Sequence, residues 1–411
     1  MKAVQHAKKI VFVLITLVLI AGCYNDKQVF SPSDFVVNNW DTAFAIKTLH
    51  LPDSTLYCKS LINVGNTFRL RKFFNSLKAK PIVKIGFIGG SITAGLGASV
   101  PNRSYTRRFC AFLKNQFPGN EFVAVNAGIS ATDSRFGCSR IEDDLLSKKP
   151  DMVIIKYAVN DNFADSIRNR LTEEGLVRRC LNETEGPLMY LLLTDDAGQV
   201  LNQQIDSTLG SYYGLPVISY QKVCWPEVQN GNLLWGDITA DFIHPNDNGH
   251  LIISYLLYAF IKKSFDNFNQ LNDIPLTYST PLWTSIFENA DIYKVDNASI
   301  SINSSGWVGV VKEYGRKSFI SSQNGSALVL NCNMHELTLG YKVGAKYNGQ
   351  LEISINGEAV DTVKNKAGSL PEGYLCQKTV FLDTNSIQPK KITLKTLNDQ
   401  YFELTYLMFS L

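Results

Sequence analysis

Histidine is scarce in this chain of 411 residues: there are five, and between positions 81 and 268 only His244 and His250 occur. Any chemistry that needs an imidazole in that stretch has two places to find one. No two cysteines stand in a C-x-x-C spacing, so the paired thiolates of a structural zinc site are missing. No cluster of His, Asp and Glu at metal-ligand spacing occurs apart from residues with another use, and no cofactor is expected. The glycines of Gly86-x-x-Gly89-Gly90 are wrongly spaced for a dinucleotide fingerprint, and no Walker-type loop is present. Basic residues form no block and the formal net charge is only +3, so nothing points to nucleic acid as a partner. Internal repeats and low-complexity tracts are also lacking. Beyond residue 22 no apolar run approaches membrane-spanning length.

The N-terminus is where the long apolar run does lie. Lys2, Lys8 and Lys9 precede an apolar stretch, Ile10 to Ile20, broken only by Thr16. It is short for a bilayer span and suits the core of a signal peptide. It ends in Ile20-Ala21-Gly22-Cys23, which resembles a bacterial lipobox. Residues 1–22 are therefore expected to be a lipoprotein signal peptide, with Cys23 as the lipidated residue and the bacterial cell envelope as the location. An ordinary cleaved signal and an uncleaved anchor helix are the alternatives. Setting Cys23 aside from the eight cysteines leaves an odd number, so at least one thiol is free or pairs outside the chain. Cys332 and Cys376 fall in one β-rich region and are candidates for a pair.

Hydrophobic residues make up 45% of the chain, enough for a full core, and the length suggests two or three domains. Residues 23–80 read as a polar tether and lead-in, with a helix over 67–77. From 81 to 268 apolar strands alternate with amphipathic helices. Strands are expected at 82–88, 121–126, 151–157, 187–193 and 215–219, and helices at 105–117, 139–146, 171–181, 201–212 and 249–261. That alternation predicts an α/β domain with a parallel sheet covered on both faces. From 279 to 411 short alternating strands and turns predict an all-β sandwich, jelly-roll-like, with a hairpin at Asn356-Gly357.

Chemistry enters at Ile85-Gly86-Phe87-Ile88-Gly89-Gly90-Ser91. A strand running into two glycines and a serine puts a hydroxyl at the carboxyl end of a buried strand, where open α/β sheets place their ligands. Farther along stand Asn126-Ala127-Gly128-Ile129-Ser130-Ala131-Thr132, then Ala158-Val159-Asn160-Asp161, then Asp241-Phe242-Ile243-His244-Pro245. A serine hydroxyl needs a nearby base to become a nucleophile, and histidine is the usual one. With His250 sitting early in the closing helix and read as structural, His244 is the base of choice. Asp241 is its expected orienting partner, with Asp237 and Asp247 as nearby alternatives.

These four blocks, in this order, resemble the SGNH (GDSL-type) hydrolase superfamily over residues 81–265. The Gly-Gly-Ser-Ile-Thr block and Asp-x-x-His-Pro-Asn-Asp-x-Gly-His resemble a bacterial branch found among secreted glycan-degrading systems. The resemblance implies a flavodoxin-like, three-layer α/β/α domain and a Ser91–His244–Asp241 triad. It implies an oxyanion hole made by the backbone N–H of Ser91, that of Ala131 and the side chain of Asn160, with Gly128 as the fallback donor. Gly90 stands where Asp is usual, Ala131 where Gly is usual, and Ala158 where Gly is usual. An alanine at 131 argues against a positive φ there.

The function expected is a serine esterase removing acyl groups, most simply O-acetyl, from a polysaccharide. A lipase, lysophospholipase or thioesterase is the alternative. The polar look of Asn102, Arg103, Asp133, Arg135 and Asn162, against Phe136 and Phe163, leans toward a sugar ester. In a third reading the chain is a non-catalytic glycan-binding lipoprotein, with Trp307, Tyr341, Tyr347 and Tyr401 as stacking residues. Arg140 with Asp143 and Asp144 reads as a set of helix-surface pairs.

Overall fold

The computed structural model describes residues 53–411, apart from 162–165, 200–201, 279, 296, 298–299 and 365–371. The signal segment, Cys23, Asn162 and Phe163 lie outside the described residues. The chain divides into two compact units, with the division between Glu288 and Asn289.

The first unit is a six-stranded sheet between helices. Its strands are β1 (Leu61–Asn63), β2 (Ile82–Gly89), β3 (Glu121–Gly128), β4 (Met152–Lys156), β5 (Leu188–Leu192) and β6 (Val217–Ser219). They lie in the order β1-β6-β5-β4-β2-β3. All neighbours are parallel except β1, which runs antiparallel to β6 at the edge. The parallel strands thus follow the flavodoxin-like order. From β2 the chain moves first to β3 on one side and then to β4 on the other. Right-handed crossovers in opposite directions place the intervening helices on opposite faces.

Sequence patterns explain the layers. Strands β4 and β5 are buried at every position, as a parallel sheet covered on both faces requires. Helix α4 (Tyr105–Gln116) buries Tyr105, Phe109, Phe112 and Leu113, one stripe at helical spacing. It packs with the closing helix α10 (Asp247–Asp266) in a core that includes Phe87, Ile154, Met189 and Leu257. The remaining helices are α1 (Asp53–Ser60), α2 (Phe68–Ser76), α3 (Ser91–Ala94), α5 (Ser134–Asp144), α6 (Ser166–Glu183), α7 (Gln203–Tyr212), α8 (Gln221–Gln229) and α9 (Trp235–Ile238). The α8 pattern is interrupted by an internal proline, Pro226, so its sequence does not announce a helix.

Both edges of this unit differ from the expected boundaries at 81 and 268. Residues 53–80 are part of the unit: β1 joins the sheet, and Leu56, Leu70, Phe73 and Phe74 enter its core. Downstream, the Asn272 side chain accepts from the N–H and hydroxyl of Thr67 at 3.0 and 2.8 Å. The Glu174 carboxylate accepts the backbone N–H groups of Leu282, Trp283 and Thr284, the last two at 2.8 Å. Arg178 pairs with Glu288. A segment without its own periodicity is thus held by side chains of the α/β unit.

The second unit is a pair of antiparallel sheets. Its strands are β7 (Ala290–Ile292), β8 (Ile300–Ser305), β9 (Val308–Val311), β10 (Lys317–Ser321), β11 (Ala327–Met334), β12 (Glu336–Val343), β13 (Gln350–Ile355), β14 (Glu358–Lys364), β15 (Tyr374–Leu382), β16 (Gln388–Thr396) and β17 (Phe402–Ser410). One sheet runs β15-β12-β17-β10-β9, with β7 also on β17, and the other β14-β13-β16-β11-β8. Asn356 and Gly357 join β13 to β14 with φ of 52° and 93°, the double positive φ of a type I′ turn. Cys332 and Cys376 fall in different sheets and both are free thiols. Trp307 is buried edge-on to Phe402, and Tyr341 stacks on the same ring. Trp307 therefore belongs to the core rather than to a stacking surface, and Tyr341 is partly buried against that core. Tyr347 and Tyr401 remain partly exposed, 5.4 Å apart.

Candidate active site

The switch in direction at β2 opens a crevice at the carboxyl ends of β2 and β4, where sheets of this topology hold ligands. Ser91 begins α3 directly after β2, and Asn160 follows β4. The N-cap Gly90 is extended, with φ −87° and ψ −150°, and this turns the chain sharply from strand into helix. A side chain at Gly90 would meet the Asn160 amide, its Cβ falling 2.3 Å from Oδ1. Ser91 itself is 8% exposed.

The structure brings Ser91, His244 and Asp241 into one hydrogen-bonded line. Ser91 Oγ lies 2.9 Å from His244 Nε2. His244 Nδ1 lies 2.7 Å from Asp241 Oδ2. A carboxylate only accepts, so Nδ1 carries the ring proton and Nε2 is left to accept from the serine hydroxyl. The other oxygen, Asp241 Oδ1, accepts the backbone N–H groups of Ile243 and His244 at 2.8 and 2.7 Å. That short turn is why an i, i+3 spacing suffices. Burial pushes the Asp241 carboxyl upward, but the His244 ring and these two amides outweigh it and hold the group below the usual carboxylate range. Asp237 and Asp247 are engaged elsewhere: Asp237 accepts from Leu234 N–H, and Asp247 takes Ser99 and Arg103.

The second block departs from expectation at two points. Ala131 has φ of 60°, the left-handed region that its side chain argued against. The turn between β3 and α5 imposes this conformation, and alanine takes it at a cost of about 1–2 kcal/mol. Gly128, the fallback donor, is already committed, its N–H donating to Asn126 Oδ1 at 2.9 Å. The glycine there serves close approach instead, since a Cβ would fall 2.2 Å from Ala94 N. Asn126 ties the two blocks together by also donating to Thr93 O at 2.7 Å.

Sequence reasoning missed the buried charges beside the crevice. Arg140, expected on a helix surface, is fully buried. It donates to Asp144 at 2.9 Å and to the Tyr157 hydroxyl at 3.1 Å, and lies 3.4 Å from Gly89 O. Lys156, Asp161, Glu173 and Asp206 are also buried. Burial pushes Asp206 up to about 7 and Lys156 down to about 7, and raises Asp161 and Glu173 as well. Asp161 accepts Ser134 N–H at 2.9 Å, joining the loop that bears Asn160 to the start of α5. Lys156 ends a strand, and Arg140, Glu173 and Asp206 lie within helices, where a charged residue gives no local signal of burial. Among the described residues no group of His, Cys, Asp or Glu is placed to hold a metal ion.

Residues 87–252 match the model of the GDSL-like lipase/acylhydrolase family. This segment is a GDSL-like domain. Two solved structures are similar to the chain over 86% of its length. One is a two-domain esterase active on acetylated mannans, at 26% identity, 98% coverage of that chain and a TM-score of 0.77. The other is such an esterase co-crystallised with mannopentaose, at 26% identity, 97% coverage and a TM-score of 0.76. No curated protein matches the chain in sequence. With a GDSL-like domain and esterases as structural neighbours, the chain is an ester hydrolase.

Proposed function

We propose that this protein is a serine esterase that removes O-acetyl groups from a polysaccharide, with Ser91 as nucleophile, His244 as general base and Asp241 as its orienting carboxylate. The observation that carries this reading is the line from Ser91 Oγ through His244 to Asp241. Ser91 attacks the ester carbonyl as its proton passes to His244 Nε2. Asp241 keeps the acceptor nitrogen facing the serine and stabilises the imidazolium that forms. The backbone N–H groups of Ser91 and Ala131 and the Asn160 amide receive the developing oxyanion. Collapse expels the sugar oxygen, which takes the proton from His244 and leaves as a hydroxyl. Water, activated by the same imidazole, then releases acetate from the acyl-enzyme.

The two esterases of similar structure support a polysaccharide substrate, and acetylated mannan is the first to test. The basic start, the apolar run and the lipobox-like Ile20-Ala21-Gly22-Cys23 support residues 1–22 as a cleaved signal and Cys23 as a lipid anchor in the bacterial cell envelope.

Acetate release from a panel of acetylated polysaccharides, by the intact protein and by Ser91→Ala, tests the activity. Release by the intact protein alone is expected. Turnover retained in folded Ser91→Ala removes this serine from the mechanism, and activity confined to long-chain acyl esters moves the substrate to lipids. Cys23→Ser is expected to free the protein from membranes. Unchanged retention would point to an uncleaved anchor helix.

A further inference from the structure

Ser91 and His244 are 153 residues apart in the chain, and their alignment to 2.9 Å needs something to hold the two segments in register. The segment bearing His244 is first fastened to α10. Ala240 N–H donates to His244 O at 2.8 Å. The Asn246 side chain accepts the N–H groups of Asn248 and Gly249 at the start of α10, at 2.9 and 3.2 Å, and its amide donates to Asp237 O at 3.1 Å. His244 therefore moves with the first turn of α10.

That first turn is fastened in its own right to the connection that follows the nucleophile, residues 95–105. His250 is fully buried and uses both ring nitrogens. Its Nδ1 accepts the backbone N–H of Tyr105 at 3.2 Å, so the proton sits on Nε2, which faces Leu96 O at 3.2 Å. The imidazole also stacks on the Tyr105 ring at 6.0 Å. One turn earlier, Asp247 accepts the N–H and hydroxyl of Ser99 at 2.9 and 2.7 Å and the Arg103 guanidinium at 2.6 Å. Between these two attachments Gly97, at φ +95°, lies so close to Pro245 that a Cβ would stand 2.1 Å from its carbonyl oxygen. The connection is in turn fixed to α3, because the Tyr105 hydroxyl lies 2.9 Å from Thr93 Oγ1.

We infer that Asp247 and His250 are positioning residues that latch the 95–105 connection to α10 and so set the distance between Ser91 and His244. This rests on the reading of Ser91 and His244 as nucleophile and base. Neither residue touches the reacting atoms. Each acts through the segment it holds, and together they close a ring of contacts from α3 through the connection and α10 back to the imidazole. A nucleophile and base that drift apart by about 1 Å lose rate without losing the substrate-binding surface.

The test uses the full-length protein with the signal segment removed, a small acetyl ester as substrate and a fluorophosphonate as a probe of Ser91. His250→Leu and Asp247→Ala are each expected to lower kcat about 10–100-fold with KM changed less than about twofold. The rate of Ser91 labelling should fall in parallel. His250→Gln, whose amide can again donate to Leu96 O, is expected to recover part of the lost kcat. A purely structural role would lower unfolding stability while leaving the specific activity of the folded fraction intact, and that result overturns the inference. A change confined to KM does so too. Should His250→Leu fail to fold, Asp247→Ala, at a side chain 24% exposed, still decides the matter. Wild-type protein that the probe does not label at Ser91 refutes the nucleophile itself. Normal labelling, equal in the wild type and the variants, refutes the latch alone.

Discussion

The Asn160 amide occupies the space that any side chain at Gly90 would need, with its oxygen 2.3 Å and its nitrogen 2.8 Å from where a Cβ would stand. The residue before Ser91 and the proposed third oxyanion donor are therefore one packing problem. Gly90→Ala must displace Asn160, since the backbone on both sides is fixed by strand and helix. A drop in kcat of about 10²–10³-fold is expected, the size seen when one oxyanion donor is lost. Because both changes act on the same group, Gly90→Ala combined with Asn160→Ala should cost little more than either alone. Steady-state kinetics of the two single variants and the double variant check this. Additive losses would separate the two residues.

Ala131 sits at φ of 60° beside the crevice. Ala131→Gly relieves a left-handed conformation worth about 1–2 kcal/mol, against about 0.4–1 kcal/mol of extra freedom given to the unfolded chain. Unfolding stability should rise by about 0.5 kcal/mol, measured by urea denaturation. The backbone N–H is retained, so kcat should stay within about twofold. A large fall in kcat would mean that the alanine methyl contributes to the site in its own right.

Local motifs made much of this site legible in the sequence. Gly89-Gly90-Ser91 and Asp241-x-x-His244 each complete their geometry within a few residues: a strand-to-helix turn in one, a carboxylate capping its own loop in the other. The alternation of apolar strands and helices likewise predicted the parallel sheet, and Asn356-Gly357 the hairpin. What stayed hidden depends on distant partners. Ala131 takes a conformation set by its turn, not by its own preference. Arg140, three and four residues before Asp143 and Asp144, has the spacing of a surface pair, and only the fold shows that it lies beneath β2. Strand β1 is three residues long and pairs with a strand far along the chain, so no periodicity announces it.

Arg140 offers a test of buried charge near the end of β2. Its guanidinium is fully buried and Asp144 is only 12% exposed. Arg140→Met removes the positive partner and leaves the Asp144 carboxylate and the Tyr157 hydroxyl without it. Breaking a buried pair in this way costs about 3–5 kcal/mol, so the midpoint of urea unfolding should fall markedly. Arg140→Lys, which keeps the charge but not the fork, should fall between the two. A surface pair would change stability by less than about 1 kcal/mol, and that outcome would return Arg140 to the helix surface.

The buried His250 ring couples stability to pH. Burial pushes its imidazole down to about 4, and the nearby Arg108 and His244 act in the same direction, while its bond to Leu96 O and the Asp247 carboxylate oppose them. The unfolded chain takes up a proton near pH 6.5 and the folded chain only near pH 4, so this group's contribution is complete above about 6.5 and is lost as pH falls to about 4. The span corresponds to about 3 kcal/mol. Asp161, Glu173 and Asp206, raised by burial, work in the opposite direction over part of the same range. The informative quantity is therefore the difference between wild type and His250→Gln. At neutral pH the wild type should be the more stable, and toward pH 4 the gap should narrow by about 2–3 kcal/mol. Urea unfolding of both proteins across that range gives the answer. Profiles that stay parallel would show that the His250 ring takes up its proton over the same pH range in the folded and unfolded protein, so that burial does not lower it.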